Sequence, residues 1–198
     1  MRFYALLLGV LVGTSVCAET VVDAEKLRTY GAENPTLIYV FTSPACPHCA
    51  AYHAEILPII KKQFSDTGLA QIKIVDMVGD KRSMKVAQLA RCMTDSQYTK
   101  FMETVYQKQS DWAYGDADTY EEKIISYATD AGLNAKSQKA CLDNEKLADK
   151  IIDQRNNLAK MYRIQAMPTT VVVRGIKSKM FLGADENLIP ELEKVVKK

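Results

Sequence analysis

Two cysteines separated by two residues are the part of the chain best suited to redox chemistry. Residues 46–49 read Cys-Pro-His-Cys, follow an apolar segment at residues 36–42 and precede a helical pattern. A helix that starts at Cys46 places unpaired backbone N–H groups and a positive dipole end beside that sulfur, which favours a thiolate. Cys49 lies one turn further along, on the same face and towards the interior. The spacing predicts a pair that cycles between a disulfide and two thiols, with Cys46 as the nucleophile.

The two residues between the cysteines complete the predicted catalytic set, which is Cys46, Pro47, His48 and Cys49. His48, at the start of the helix, can donate to the Cys46 thiolate or stabilise it by charge. In the oxidised pair, a substrate thiolate attacks the Cys46 sulfur, and the substrate's second thiol resolves the mixed disulfide. A stabilised Cys46 thiolate is a good leaving group and favours the reduced protein. The expected chemistry is therefore that of an oxidant.

A second motif lies far along the chain, where Met167, Pro168 and Thr169 precede a strand-like run at residues 170–173. Together with Cys-Pro-His-Cys, this proline resembles the bacterial DsbA family of thiol:disulfide oxidoreductases, over roughly residues 35–197. The resemblance implies a thioredoxin fold in which a cis peptide bond before Pro168 lies across the cysteine pair. It also implies that the backbone of Met167 pairs with an extended substrate. An ordinary trans proline before a strand is the alternative.

The chain departs from the DsbA pattern at two positions. Val40 occupies the position six residues before the first cysteine, where the family commonly has a buried acid. Proton handling near Cys49 must then use another group or water, and Glu55 lies too far along the helix to serve. Met167 replaces the valine that is frequent in the family, so the redox tuning is expected to differ.

Hydrophobic patterns predict the elements around the cysteine pair. Residues 36–42 are apolar on both faces, as in a strand covered by helices. The helix that follows is expected to run from Cys46 to about Phe64, with Pro58 disturbing it because proline removes one helical hydrogen bond. Apolar and polar residues alternate at residues 71–75, which predicts a strand parallel to the first one. Strand, helix and strand make a βαβ unit.

The remainder of the chain predicts a helical insertion and a closing hairpin. Residues 79–163 contain apolar positions at helical spacing. Residues 170–174 and 178–182 predict an antiparallel hairpin, and Asp185 is expected to cap a last helix. The predicted fold class is α/β, a thioredoxin fold with a helical insertion between the second central strand and the cis-proline strand. Residues 19–198 are expected to form this one domain.

The first 18 residues predict a secretory signal peptide. Arg2 precedes an apolar core at residues 3–12, and cleavage is expected after Ala18. An uncleaved anchor or a buried helix is the alternative. Export to the periplasm is the expected localisation, in an oxidising setting that permits disulfides.

Cleavage at that site removes Cys17 and leaves four of the five cysteines. With Cys46 and Cys49 as one pair, Cys92 and Cys141 remain. We expect them to form a structural disulfide that closes the helices of the insertion. Free buried thiols are the alternative.

Composition excludes several other classes of function. A formal net charge of +2, with basic residues scattered among acidic ones, gives no indication of nucleic-acid binding. The chain has two histidines and no second Cys-x-x-Cys, so no zinc site is predicted. Ala50, rather than histidine, follows Cys49, which excludes c-type haem attachment. No metal and no cofactor are expected.

The predicted function is donation of disulfide bonds to exported proteins that contain cysteines, by a protein expected to be monomeric. The resemblance further implies reoxidation by a membrane oxidase of the DsbB type. Two alternatives remain: a reductase or isomerase on the same fold, and a non-enzymatic thioredoxin-like metal chaperone. Residues 19–34 are too short for the dimerisation domain that isomerases of the DsbC type carry, which argues against an isomerase.

Overall fold

A five-stranded sheet organises the computed structural model, which describes residues 23–116, 119–185 and 187–197. The predicted signal peptide lies outside the described residues. The strand order is β1-β3-β2-β4-β5, with β2 and β3 parallel and the other pairs antiparallel. The strands are β1 Arg28–Tyr30, β2 Thr36–Thr42, β3 Gln71–Asp76, β4 Thr169–Arg174 and β5 Lys177–Leu182. The α/β class, the central strands and the hairpin are as predicted.

The central position of β2 follows from its composition. Ile38, Val40 and Phe41 are completely buried, as expected for a strand with helices on both faces. Val40 pairs with Ile74 of β3 on one side and with Thr170 of β4 on the other. The carboxyl end of β2 therefore opens directly into the segment that carries the cysteine pair.

Residues 47–65 form one continuous but irregular helix. It comprises α1 (Pro47–Ala51), a π-helical turn (Tyr52–Ile56), α2 (Leu57–Ile60) and a second π-helical turn (Lys61–Ser65). Pro58 lies in the first turn of α2, directly after the first π-helical turn. The disturbance predicted at Pro58 takes this form, because a wider turn accommodates the missing N–H.

Among the described residues between β3 and β4, six helices make the predicted insertion: α3 Lys81–Arg91, α4 Asp95–Gln107, α5 Gln109–Ala113, α6 Tyr120–Asp130, α7 Ala135–Leu142 and α8 Glu145–Tyr162. Capping side chains define where several of them begin. Asp80 and Thr94 form capping boxes at α3 and α4, and Asn134 caps α7. The apolar faces of these helices bury Phe101 and Trp112 in a core that also includes Cys49.

The insertion is tied to the sheet by a buried ion pair. The Arg91 side chain at the end of α3 is 3% exposed, and its Nε lies 2.7 Å from the Asp76 carboxylate at the end of β3. Arg91 also donates to the carbonyl of Lys26 and to Gln154 on α8. A buried guanidinium needs such partners, because the removal of one leaves an unpaired charge in the interior.

The last helix, α9 (Leu188–Val196), begins two residues later than the position of Asp185 predicts. Asn187 occupies the N-cap position, so the prediction of Asp185 as the cap is wrong. The Asp185 carboxylate instead accepts from the backbone N–H of Asn187 at 2.8 Å and stabilises the preceding turn. Leu188, Leu192 and Val196 face the sheet, as expected from their spacing. Within the described ranges, no helix is long and apolar enough to span a bilayer.

Candidate active site

The first cysteine occupies the predicted helix start. Cys46 is the N-cap of α1, and Pro47 is its first helical residue. The Cys46 carbonyl accepts from the backbone N–H of Cys49 at 3.0 Å and of Ala50 at 3.1 Å. Cys46 therefore lies at the positive end of the helix dipole.

The two cysteines differ sharply in their surroundings. Both are free thiols, but Cys46 is partly exposed whereas Cys49 is completely buried. The Cys49 sulfur accepts from the backbone N–H of Ser43 at 3.4 Å, and the Thr42 side chain is a further hydrogen-bond partner. Burial raises the pKa of Cys49 to about 12, and these two hydrogen bonds oppose the increase only in part. One sulfur is therefore accessible from solvent, and the other is kept as a thiol in the interior.

The proline motif lies opposite Cys46. The Met167–Pro168 peptide bond is cis, and the Cys46 sulfur lies 3.8 Å from the Met167 carbonyl oxygen. Pro168 is buried, and its carbonyl accepts from the Gly183 N–H at 2.9 Å, which anchors the loop to the end of β5. Met167 is partly exposed beside the sulfur. The structure thus brings together the two motifs that lie 121 residues apart.

The structure places Pro47 and His48 on the surface, in the first turn of α1. Their position beside the partly exposed Cys46 is compatible with the roles expected of them. The donation from His48 to a Cys46 thiolate stays a prediction, since it concerns the ionised form of the sulfur.

The loop before Cys46 is anchored by residues of the insertion that sequence reasoning missed. Gln109, a buried residue of α5, donates from Nε2 to the Pro44 carbonyl at 2.7 Å. The Tyr114 hydroxyl donates to the Ala45 carbonyl, also at 2.7 Å, but from an exposed position. No local pattern indicates these contacts, because they join segments more than 60 residues apart.

Hydroxyl groups, rather than an acid, lie close to Cys49. Val40 is completely buried and offers no polar atom, and Glu55 is exposed. Two residues beyond Val40, the Thr42 hydroxyl lies 3.3 Å from the Tyr106 hydroxyl of α4. Sequence reasoning did not identify this contact.

A solvent-open cavity of about 750 Å³ separates the active-site helix from α4. Ala50, His53, Tyr98 and Tyr106 are among its lining residues. The His53 ring packs on the Tyr106 ring with centroids 4.4 Å apart, so His53 is a packing residue. Burial lowers the pKa of His53 to about 3, and its Nε2 has no hydrogen-bond partner among the described residues.

The remaining two cysteines are bonded to each other. Cys92, at the carboxyl end of α3, forms a disulfide with Cys141 of α7, and their Cα atoms are 6.4 Å apart. This is the pairing expected from the cysteine count. In the part of the chain that the structure describes, no group of three or more His, Cys, Asp or Glu side chains could bind a metal ion.

A partly exposed cysteine at a helix start, a buried cysteine one turn later and a facing cis-proline on a five-stranded sheet define a class, the thioredoxin-fold proteins with a Cys-x-x-Cys site. The chain belongs to the thioredoxin family, since the family model described as Thioredoxin matches residues 23–179.

Relatives and solved structures agree with this assignment. The chain is 29% identical over 161 residues to a protein of Rickettsia typhi and 30% identical over the same length to one of Rickettsia prowazekii, each named as a candidate protein-disulfide oxidoreductase. Each match covers 81% of this chain but 58% of the relative, so the chain spans little more than half the length of these proteins.

The fold is that of DsbA-type structures. Wolbachia pipientis α-DsbA1 superimposes with a TM-score of 0.72 at 20% identity, covering 86% of this chain and 89% of that one. BdbD from Bacillus subtilis, in its oxidised form, gives a TM-score of 0.70 at 25% identity and covers 87% and 94% of the two chains. The DsbA-like architecture expected from the two motifs is confirmed.

Proposed function

We propose that this chain is a thiol:disulfide oxidoreductase of the DsbA type that donates disulfide bonds to exported proteins. The observation that carries the proposal is the asymmetry of the cysteine pair. Cys46 is partly exposed at a helix start and lies 3.8 Å from the Met167 carbonyl, whereas Cys49 is buried one turn behind it. Family membership and the names of the Rickettsia relatives support the same chemistry.

The geometry supports a defined order of steps. A substrate thiolate attacks the Cys46 sulfur, a mixed disulfide forms, and Cys49 leaves with the electron pair of the broken bond. The substrate's second thiolate then attacks its own bonded sulfur and releases reduced Cys46. The backbone beside Met167 and Pro168 is available to an extended substrate segment during these steps.

The oxidising direction rests on the position of Cys46 at a helix start, a position at which thiolates are stabilised in general. Location in the periplasm rests on the N-terminal apolar pattern, and reoxidation by a membrane oxidase of the DsbB type rests on the resemblance to DsbA. A reductase or isomerase would use the same pair of cysteines with a different balance between the two redox states.

Two substrates distinguish these directions. The oxidised protein is mixed with a reduced protein that needs one disulfide, and separately the reduced protein is mixed with a substrate whose disulfides are scrambled. We expect disulfide transfer to the reduced substrate, and an equilibrium with glutathione in which the protein pair is the stronger oxidant. Activity confined to the scrambled substrate would overturn the oxidase assignment in favour of an isomerase.

A further inference from the structure

Cys49 presents a proton-transfer problem that the established features of the site do not solve. Its sulfur is completely buried, and burial raises its pKa to about 12. When the Cys46–Cys49 disulfide opens, the electron pair goes to Cys49, and a thiolate in this apolar position is strongly disfavoured. A proton must reach the sulfur from solvent, yet Val40 provides no acid.

The hydrogen bonds around Cys49 provide a continuous route. Thr42 directly precedes Ser43, whose backbone N–H donates to the Cys49 sulfur at 3.4 Å, and the Thr42 side chain also interacts with this sulfur. The Thr42 hydroxyl lies 3.3 Å from the Tyr106 hydroxyl. Tyr106 also lines the cavity of about 750 Å³ that opens to solvent between the active-site helix and α4. From sulfur to solvent, two hydroxyl groups intervene.

We propose that Thr42 and Tyr106 form a proton path that connects Cys49 to the solvent-open cavity and takes the place of the buried acid. The inference rests on the proposed function, since it concerns the same cysteine pair. A hydroxyl can donate and accept simultaneously, which is the property that such a path needs. Burial raises the pKa of Tyr106 well above its ordinary value, so this hydroxyl stays neutral and keeps its proton to donate.

The step balances in atoms and charge. A thiolate attacks the Cys46 sulfur and forms a new S–S bond with it. The Cys46–Cys49 bond breaks, and its electron pair goes to the Cys49 sulfur. The Thr42 hydroxyl donates its proton to Cys49, Tyr106 donates to Thr42, and water in the cavity donates to Tyr106. The proton that the attacking thiol released to water balances the one taken up.

Two other polar groups near the pair have partners of their own. The Tyr52 hydroxyl bonds to Thr170 at 2.7 Å. Asp76, which pairs with Thr42 across β2 and β3, forms its ion pair with Arg91. His53 packs its ring on Tyr106 rather than bonding to the hydroxyl. The further groups facing this region are Cys46, Tyr30, Tyr98 and Lys61.

The test measures how fast dithiothreitol reduces the oxidised full-length protein, followed by the fluorescence of Trp112, which is buried in the same apolar cluster as Cys49. Thr42→Val keeps the shape and removes the hydroxyl, and we expect it to slow reduction by about tenfold or more. Thr42→Ser restores the hydroxyl and should restore most of the rate. The reaction of the native protein should slow in D₂O, and Thr42→Val should lose this sensitivity.

Tyr106→Phe removes the second hydroxyl, and we expect it to slow reduction with no further loss when combined with Thr42→Val, because both act on one path. Tyr98→Phe is the matched control, since it removes a buried hydroxyl from the same helix outside the proposed path. Reduction of the Thr42→Val and Tyr106→Phe variants at the native rate would overturn the path. A Thr42→Ser variant as slow as Thr42→Val would also do so, because packing would then explain the effect.

The reagent separates this inference from the proposed function. Dithiothreitol reduces the Cys46–Cys49 disulfide whether or not the protein acts on other proteins, so the path is tested even if no protein substrate is oxidised. A protein that oxidises its substrates while the variants react at the native rate would retain the proposed function and lose the path.

Discussion

The molecule contains two cysteine pairs in opposite settings. Cys46 and Cys49 are three positions apart at a helix start, and the first sulfur is accessible and faces a backbone carbonyl. Cys92 and Cys141 are 49 positions apart, join α3 to α7, and are already bonded. Cys141 is only 7% exposed. The difference indicates that accessibility and a helix start make one pair reactive, whereas closure of a long loop makes the other a structural crosslink.

The two pairs are nevertheless connected through α3, although Cys92 packs against a separate apolar cluster that includes Ala87. Cys49 packs in the same core cluster as Val86 and Leu89 of α3, the helix that ends at Cys92. The insertion therefore does more than extend the fold. It covers the buried sulfur, provides Tyr106 beside Thr42, and anchors the loop before Cys46 through Gln109.

The largest expected effect concerns the reactive pair. Cys46→Ala removes the attacked sulfur, and we expect thiol–disulfide exchange with a two-cysteine peptide to fall by about a thousandfold or more. The double variant Cys92→Ala/Cys141→Ala is the control and should retain exchange, because its disulfide is not attacked. Exchange that survived in Cys46→Ala and disappeared in the double variant would reverse the roles assigned to the two pairs.

The structural pair should matter instead for stability. In the chain-entropy model, a crosslink across 49 positions stabilises by up to about 4 kcal/mol, so Cys92→Ala/Cys141→Ala should lower the free energy of unfolding by up to that amount. Urea unfolding, with Cys46 and Cys49 kept reduced in both proteins, measures the loss. An unchanged unfolding free energy would mean that Cys92–Cys141 is not a structural crosslink.

Local patterns were sufficient to predict much of the fold and the site. The apolar run at residues 36–42, the helix start at Cys46 and the alternation that ends near Asp76 each depend on neighbouring residues, and the structure places these elements within a residue of the prediction. The facing positions of Cys46 and Met167 came from the resemblance, since no local pattern joins residues 121 positions apart.

What sequence reasoning missed depends on tertiary contacts. Gln109 reaches the Pro44 carbonyl across 65 positions, and Tyr106 reaches Thr42 across 64. From the sequence alone, the side chain of either residue could equally have packed in the core or faced solvent. The prediction of Asp185 as the N-cap of α9 failed for a local reason. Asp and Asn are both favoured at N-caps, and Asp185 and Asn187 lie two residues apart.

Two hydrogen bonds to adjacent carbonyls test how the insertion anchors the active-site loop. Gln109→Met leaves the buried Pro44 carbonyl without its donor, and we expect a loss of about 1–3 kcal/mol in unfolding free energy. Tyr114→Phe removes the donor of the Ala45 carbonyl at an exposed position, where water can replace it, and should cost less than about 1 kcal/mol. Equal losses in the two variants would show that burial does not distinguish these anchors.

The smallest expected effect concerns the alkaline pH dependence of Cys49. Its ordinary pKa of 9.0 applies to the unfolded chain, and burial raises the folded value to about 12. Above pH 9 the unfolded chain loses this proton while the folded protein keeps it, so the unfolded state binds fewer protons and stability falls as pH rises towards 12. This contribution of Cys49 to the unfolding free energy is fully present below pH 9. Above pH 9 it decreases by at most about 1.4 kcal/mol per pH unit.

A comparison of Cys46→Ala with Cys46→Ala/Cys49→Ala isolates this contribution. Tyr30, whose pKa burial also raises and whose electrostatic partners do not include Cys49, is present in both variants, and its contribution cancels. The stability difference between the two variants should be constant from pH 7 to 8 and should shrink by about 1 kcal/mol at pH 10, measured by urea unfolding. A difference that stayed constant to pH 10 would mean that Cys49 ionises as easily in the folded protein as in the unfolded chain. The buried sulfur would then need no proton path, and the contrast drawn between the two sulfurs of the reactive pair would fail.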